Sequence, residues 1–298
     1  MIEVRFGYLQ EPTAIDWGAG TISPLGNIAS IVELVQPHDS AYGNWFYPPM
    51  EQALRAPNET KDAPLIPTTS FSLPATHLLS FKGQDWTDEG ANFIIALFGM
   101  LKGRRLQREG WQHFYKAPLA PMLGCDFNAD KWGIAYALEK ASEFWLIHTD
   151  PNIRKLAFGA LHWHLFAQLY PHDFERFNAQ YMALDACYKL AKDMKSLKRC
   201  HHYERASVLC DLLGVPAPLW AIPSGNLACP LSERRNKLAH EAMYGNQPVG
   251  FAHPSDHKDM EPELTLLVAR LLLRLLGIEN EYTRSLCTTG QQMGFGRH

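Results

Sequence analysis

From residue 128 onward, apolar residues recur at helical spacing, and the segments they mark predict helices over about 129–148, 152–170, 173–195, 202–213, 233–244 and 261–276. Asp150-Pro151 and Pro171-His172 punctuate the first three, since proline cannot continue a preceding helix. The front of the chain has a different texture. As far as residue 79, prolines, glycines and threonines interrupt short apolar runs such as 28–35 and 70–73, which predicts short strands and long loops. A helix is expected over 89–101, where Phe93, Leu97 and Met100 share one face. Lys102, Arg104, Arg105 and Arg108 follow it and read as a solvated helix end before they read as a guide for an RNA backbone. The switch of texture predicts an α+β chain: a mixed, strand-containing N-terminal domain over 1–127 and an all-helical domain over 128–298.

Composition narrows this picture. With 298 residues, 46% of them hydrophobic, the chain can bury two ordinary cores. A formal charge of −3 and a pI near 6.5 exclude a globally basic nucleic-acid coat, so any RNA contact must be a local patch. The six cysteines are scattered, with no C-x-x-C and no secretory leader, and are expected to be reduced thiols in a cytoplasmic protein. The longest apolar stretch, 264–278, contains Arg270 and Arg274 and is shorter than the roughly twenty residues a bilayer requires. It is expected to be an amphipathic helix with both arginines on an exposed stripe. No cofactor and no metal are expected. His162 and His164, His201 and His202, and His253 and His257 lack the Cys or carboxylate partners of a zinc site, and Pro254 interrupts the last pair. Gly18-Ala19-Gly20 completes neither a dinucleotide loop nor a phosphate loop.

The candidate chemistry lies at 232–241, Ser-Glu-Arg-Arg-Asn-Lys-Leu-Ala-His-Glu. Ser232 is expected to cap a helix, Glu233 suits its positive end, and Gly245 is expected to stop it. Asn236 and His240 form an i,i+4 pair on one face, and the long side chain of Arg235 reaches the same space. A guanidinium fork matches phosphate oxygens, an amide adds neutral hydrogen bonds, and an imidazole moves protons near neutral pH. Together they make a set suited to a phosphate. Lys189, Lys192, Lys195, Lys198 and Arg199 form a basic stripe nearby in sequence, a candidate for RNA backbone contacts.

The segment Arg235-Asn236-Lys237-Leu238-Ala239-His240 resembles the R-N-x-x-x-H signature of HEPN domains, small all-helical modules, many of which are metal-independent ribonucleases. The resemblance covers roughly 174–278. It implies an endoribonuclease in which the ribose 2′-hydroxyl attacks the adjacent phosphate, with His240 as general base or acid, Arg235 stabilising the phosphorane oxygens, and Asn236 holding a phosphate or the imidazole. It further implies a homodimer whose two motif histidines face one cleft, since one imidazole cannot readily serve both proton transfers. Asp185 is where similar proteins carry an acidic residue that pairs with the motif arginine, and Glu204 and Arg205 are further supporting candidates. Phage defence, stress response and toxin-like growth arrest are the settings in which such nucleases act. Members paired with a nucleotidyltransferase antitoxin have a tyrosine two residues after the histidine. Here Ala242 holds that position, with Tyr244 nearest. The other reading is a non-catalytic HEPN-like module that binds RNA, nucleotide or a protein partner.

Overall fold

Alternation along Glu3–Gly7, with Val4 and Phe6 buried and Glu3 and Arg5 exposed, is the period of a strand with one wet face. The computed structural model describes residues 2–52, 65–83, 85–124, 126–225, 228–250, 260–288 and 292–296. The chain is a mixed α/β protein that divides into two compact units, Met1–Leu123 and Gly124–His298.

In the first unit the elements run β1 (Glu3–Gly7), β2 (Ile15–Trp17), β3 (Gly20–Pro24), α1 (Ile28–Val35), β4 (Ala41–Tyr42), β5 (Trp45–Phe46), β6 (Met50–Gln52), β7 (Leu65–Pro67), β8 (Ser70–Phe71), β9 (His77–Phe81), α2 (Asp88–Leu101), β10 (Gln107–Arg108), β11 (His113–Phe114) and β12 (Ala117–Pro118). An antiparallel sheet of order β10-β1-β9-β3-β2 carries Phe6, Ile22, Leu79 and Phe81 into the core. Helix α2, capped by Thr87 accepting from the Gly90 amide, contributes Phe93, Ile94, Leu97 and Phe98 to that core, and Phe98 meets Phe6 edge-on. A second core gathers Tyr8, Ile31, Val35, Phe46, Phe71 and Leu119.

Two expectations are corrected in this unit. Residues 28–35 are a helix rather than a strand: Ile28, Ile31 and Val35 are buried at i, i+3 and i+7, a helical period inside a run rich in β-branched residues. The arginines after α2 are not a solvated helix end. Arg104 is fully buried, donating to the Leu119 carbonyl at 2.7 Å and to Glu11 at 2.6 Å, and Arg105 is 6% exposed. Arg108 pairs with Asp88.

The second unit runs β13 (Phe127–Ala129), α3 (Lys131–Ile147), α4 (Pro151–Ala167), α5 (Asp173–Lys195), α6 (Arg205–Leu213), a 3-10 turn at Leu219–Ala221, α7 (Pro230–Glu241), β14 (Met243–Tyr244), β15 (Gln247–Pro248), α8 (Met260–Leu275), a 3-10 turn at Tyr282–Arg284, and β16 (Met293–Phe295). It is predominantly helical but not all-α, because β13 pairs in parallel with β16 and β14 forms a hairpin with β15. Asp130 caps α3 and Asp150 caps α4, where Pro151 fits a first-turn position whose amide needs no partner. His172 and Glu175 close a reciprocal box at the start of α5. Helix α5 packs against α4, α6, α7 and α8.

Helix α8 departs from the amphipathic reading, since residues on all its faces are buried. Arg270 is wholly inside, held by Asp126, Tyr282, Ser285 and the carbonyls of Leu266 and Leu286. Arg274 donates to the Leu213 carbonyl and pairs with Glu279. Both arginines are accepted in an apolar helix because each guanidinium finds carboxylate and carbonyl oxygens. Among the described residues no helix is long and apolar enough to cross a membrane.

His164 of α4 is buried against α5, its Nδ1 3.1 Å from Gln180 Oε1 while Gln180 Nε2 donates to the His164 carbonyl. Burial lowers its pKa to about 4, so the folded ring is neutral. An unfolded imidazole binds its proton near 6.5, so between 6.5 and 4 the unfolded state holds more protons and stability falls as pH falls. The expected slope from this site is about 1.4 kcal/mol per pH unit. Urea unfolding at pH 7 and pH 5 should show a larger loss for the wild type than for His164→Gln. Equal losses would contradict the buried neutral ring.

Candidate active site

Helix α7 begins three residues before the expected start. Pro230 occupies the first turn, where its missing N–H costs nothing, and Cys229 is the capping residue. Ser232 is therefore inside the helix and buried, not its cap. The helix ends at Glu241, where Ala242 turns left-handed with φ 54°, and Gly245 belongs instead to the turn of the β14–β15 hairpin. Gly245 and Asn246 have φ of 59° and 63°, the paired positive values that a tight two-residue hairpin demands. Lys237 donates to the Asn246 side chain, tying hairpin to helix.

Arg234 and Arg235, adjacent in sequence, take opposite roles. Arg234 is 8% exposed and lies over the Tyr244 ring at 5.1 Å, anchoring α7 to its hairpin. Arg235 is half-buried and lies toward Tyr181 of α5 instead. Its Nη1 donates to Asn236 Oδ1 at 3.1 Å and lies 3.2 Å from His240 Nε2. A guanidinium can only donate, so in this contact His240 Nε2 is the acceptor. The three residues singled out by spacing thus meet through the arginine, and His240 is exposed.

Beneath Arg235 lies a face of α5. Tyr181 is buried, its ring centroid 6.0 Å from the Arg235 guanidinium. Burial first, and then the Asp185 carboxylate, push its phenol well above the usual tyrosine range, so it stays protonated. Asp185, one turn along, does not hydrogen-bond the motif arginine as expected. It accepts from Arg205 Nη1 at 2.8 Å, and the same guanidinium lies 5.0 Å over Tyr188. Arg205 is the first residue of α6, which packs against α5. Glu204 stands outside the cluster, its carboxylate accepting the His201 amide at 2.7 Å just before α6.

The turn before α6 joins the site. Cys229 Sγ donates to the Tyr203 carbonyl at 3.3 Å, fastening the 201–204 turn to the start of α7. His202 in this turn has its Nε2 buried without a hydrogen-bond partner. Burial, then the Arg235 and Arg205 guanidinium groups, lower its pKa below the ordinary imidazole value, partly offset by Asp185. In the sequence, His201 and His202 read only as a possible metal-ligand pair, and Tyr181 carries no signal of its own. Tyr181, Asp185 and Tyr188 lie at i, i+4 and i+7 on α5, which marks one face but does not say what it meets. The contacts to 202 and 205 depend on how α6 and α7 pack, which no local pattern encodes.

Lys189, Lys192, Lys195, Lys198 and Arg199 are all exposed. Helix α5 ends at Lys195, and Ser196 turns left-handed beyond it. The Tyr188 hydroxyl donates to the Lys198 carbonyl and accepts from the Cys200 amide, which folds the basic segment back toward the helix end.

His253, Pro254, His257 and Cys125 lie outside the described residues. Cys187, Cys200, Cys210, Cys229 and Cys287 are free thiols. Among the described residues, no three or more His, Cys, Asp or Glu side chains are grouped to hold a metal ion. No protein-family model, curated protein or solved structure matches this chain.

Proposed function

We propose that the chain is a metal-independent endoribonuclease of HEPN type, its C-terminal unit being a HEPN-like helical bundle. The observation that carries this reading is the convergence of Arg235, Asn236 and His240, with one guanidinium nitrogen within 3.2 Å of both the amide oxygen and the imidazole. In cleavage, the 2′-oxygen attacks the adjacent phosphorus while its proton is taken up, the bond to the 5′-oxygen breaks, and that oxygen receives a proton. His240 serves one proton transfer, Arg235 moves its donors onto the phosphorane oxygens, and Asn236 fixes a phosphate oxygen or the imidazole. The exposed Lys189, Lys192, Lys195, Lys198 and Arg199 hold the RNA backbone, and Asp185 supports the site through Arg205. The enzyme acts in the cytoplasm as a homodimer with the two motif helices facing one cleft, in phage defence, stress response or growth arrest.

Purified protein incubated with total RNA in EDTA is expected to cut it, leaving 2′,3′-cyclic phosphate and 5′-hydroxyl ends. RNA that is bound but left intact would remove the enzyme and favour the non-catalytic binding module.

A further inference from the structure

Cleavage by 2′-hydroxyl attack needs two proton carriers, and a shared cleft obtains the second from the partner subunit. The structure offers one within the chain. His202 is fastened beside α7 by the Cys229 to Tyr203 hydrogen bond, in the same charged cluster as Arg235. The charged and titratable groups close enough to act on its ring electrostatically are Arg235 of α7, Arg205 of α6, Asp185 of α5 and the neighbouring His201. Its buried nitrogen has no partner, so a ribose hydroxyl arriving there gains a hydrogen bond without displacing one.

We propose that His202 is the second proton-transfer group, taking the proton of the 2′-hydroxyl, so that each protomer holds a complete acid–base pair. This rests on the endoribonuclease reading above. Arg235 moves from His240 and Asn236 to the phosphate. His202 takes the proton as the bond from the 2′-oxygen to phosphorus forms. His240, entering protonated, gives its proton to the 5′-oxygen as the bond to phosphorus breaks. The turnover leaves a 2′,3′-cyclic phosphate, a 5′-hydroxyl, protonated His202 and neutral His240, and exchange with water resets both rings. Two guanidinium neighbours favour the neutral form of His202, the form a base needs. Dimerisation then shapes the RNA groove and does not complete the chemistry.

The test compares wild type, His202→Gln and His240→Gln on an oligoribonucleotide in EDTA, with thermal melting to show that each variant is folded. His202→Gln is expected to lose about 10²- to 10⁴-fold in rate and to lose the acidic limb of the pH–rate profile, which lies below the ordinary imidazole pKa. A substrate with sulfur in place of the 5′-bridging oxygen needs no acid. It should restore His240→Gln and leave His202→Gln slow. Unfolding equal amounts of wild type and His240→Gln together and refolding them, so that subunits pair at random, separates the two arrangements without any change at His202: half the wild-type activity is expected if each chain is complete, and one quarter if the second histidine comes from the partner subunit. Wild-type rate in folded His202→Gln, or one-quarter activity in the mixture, overturns the proposal and leaves the ribonuclease reading standing. Absence of cutting by the wild type overturns both.

Discussion

Replacing His240 with alanine is expected to lower RNA cleavage by about 10²- to 10⁴-fold without disturbing the fold. The side chain is exposed in the last turn of α7, and its hydrogen-bond neighbour is Arg235, so its removal opens no core. Arg235→Ala is expected to lose about 10²- to 10³-fold, because in the proposed reaction its donors move onto the oxygens where negative charge develops. Arg235→Lys should remain impaired, since an ammonium group cannot reproduce a fork that reaches Asn236 and His240 from one nitrogen while leaving others for phosphate. Single-turnover rates on a 5′-labelled RNA, read beside circular dichroism, check both. A folded His240→Ala variant within about twofold of wild type would show that the imidazole is not in the reaction path.

Arg270→Ala is expected to be among the most destabilising single changes in the C-terminal unit. The guanidinium is wholly buried, paired with Asp126 at 2.7 Å, and lies 4.1 Å over the Tyr282 ring. Asp126 also accepts from the Tyr282 hydroxyl, and its segment leads into β13, which pairs with β16. Phe127, Tyr282 and Phe295 pack around the same place, so one charged knot joins α8, the 3-10 turn and the parallel strand pair. Removing the cation leaves a nearly buried carboxylate without its counter-charge, at a cost of about 3–5 kcal/mol. At roughly 2–4 °C per kcal/mol for a domain of this size, the melting temperature should fall by about 10 °C. Asp126→Ala should fall by a similar amount, and the double variant by less than the sum, because the two residues share one interaction. Melting temperatures within about 2 °C of wild type would contradict a structural knot.

The sequence and the structure part company at identifiable places. Helices α3 to α5 were legible because Asp130, Asp150 with Pro151, and His172 with Glu175 mark their starts locally. The start of α7 was misplaced because Ser232 is a strong capping type, yet Pro230 two residues earlier already satisfies the rule for a first turn. The run 28–35 reads as a strand because it is a short apolar run set among proline, glycine and threonine, whereas its buried positions at i, i+3 and i+7 carry the stronger signal. Arg104 and Arg270 were expected at the surface because charge predicts exposure unless a partner is known, and theirs stand 93 and 144 residues away. The meeting of Arg235, Asn236 and His240 follows from helical spacing. The places of Tyr181, His202 and Arg205 around them follow only from how α5, α6 and α7 pack.

Attack by the 2′-hydroxyl at the Arg235 and His240 site is the centre of this account, and an oligodeoxynucleotide carrying a single ribonucleotide tests it most directly. In EDTA, the protein is expected to cut that strand only 3′ to the ribonucleotide, leaving a 2′,3′-cyclic phosphate, and to leave the 2′-O-methyl version intact. His240→Ala and Arg235→Ala should leave both strands whole. Cutting of the 2′-O-methyl strand, or cutting by either folded variant at the wild-type rate, would contradict it.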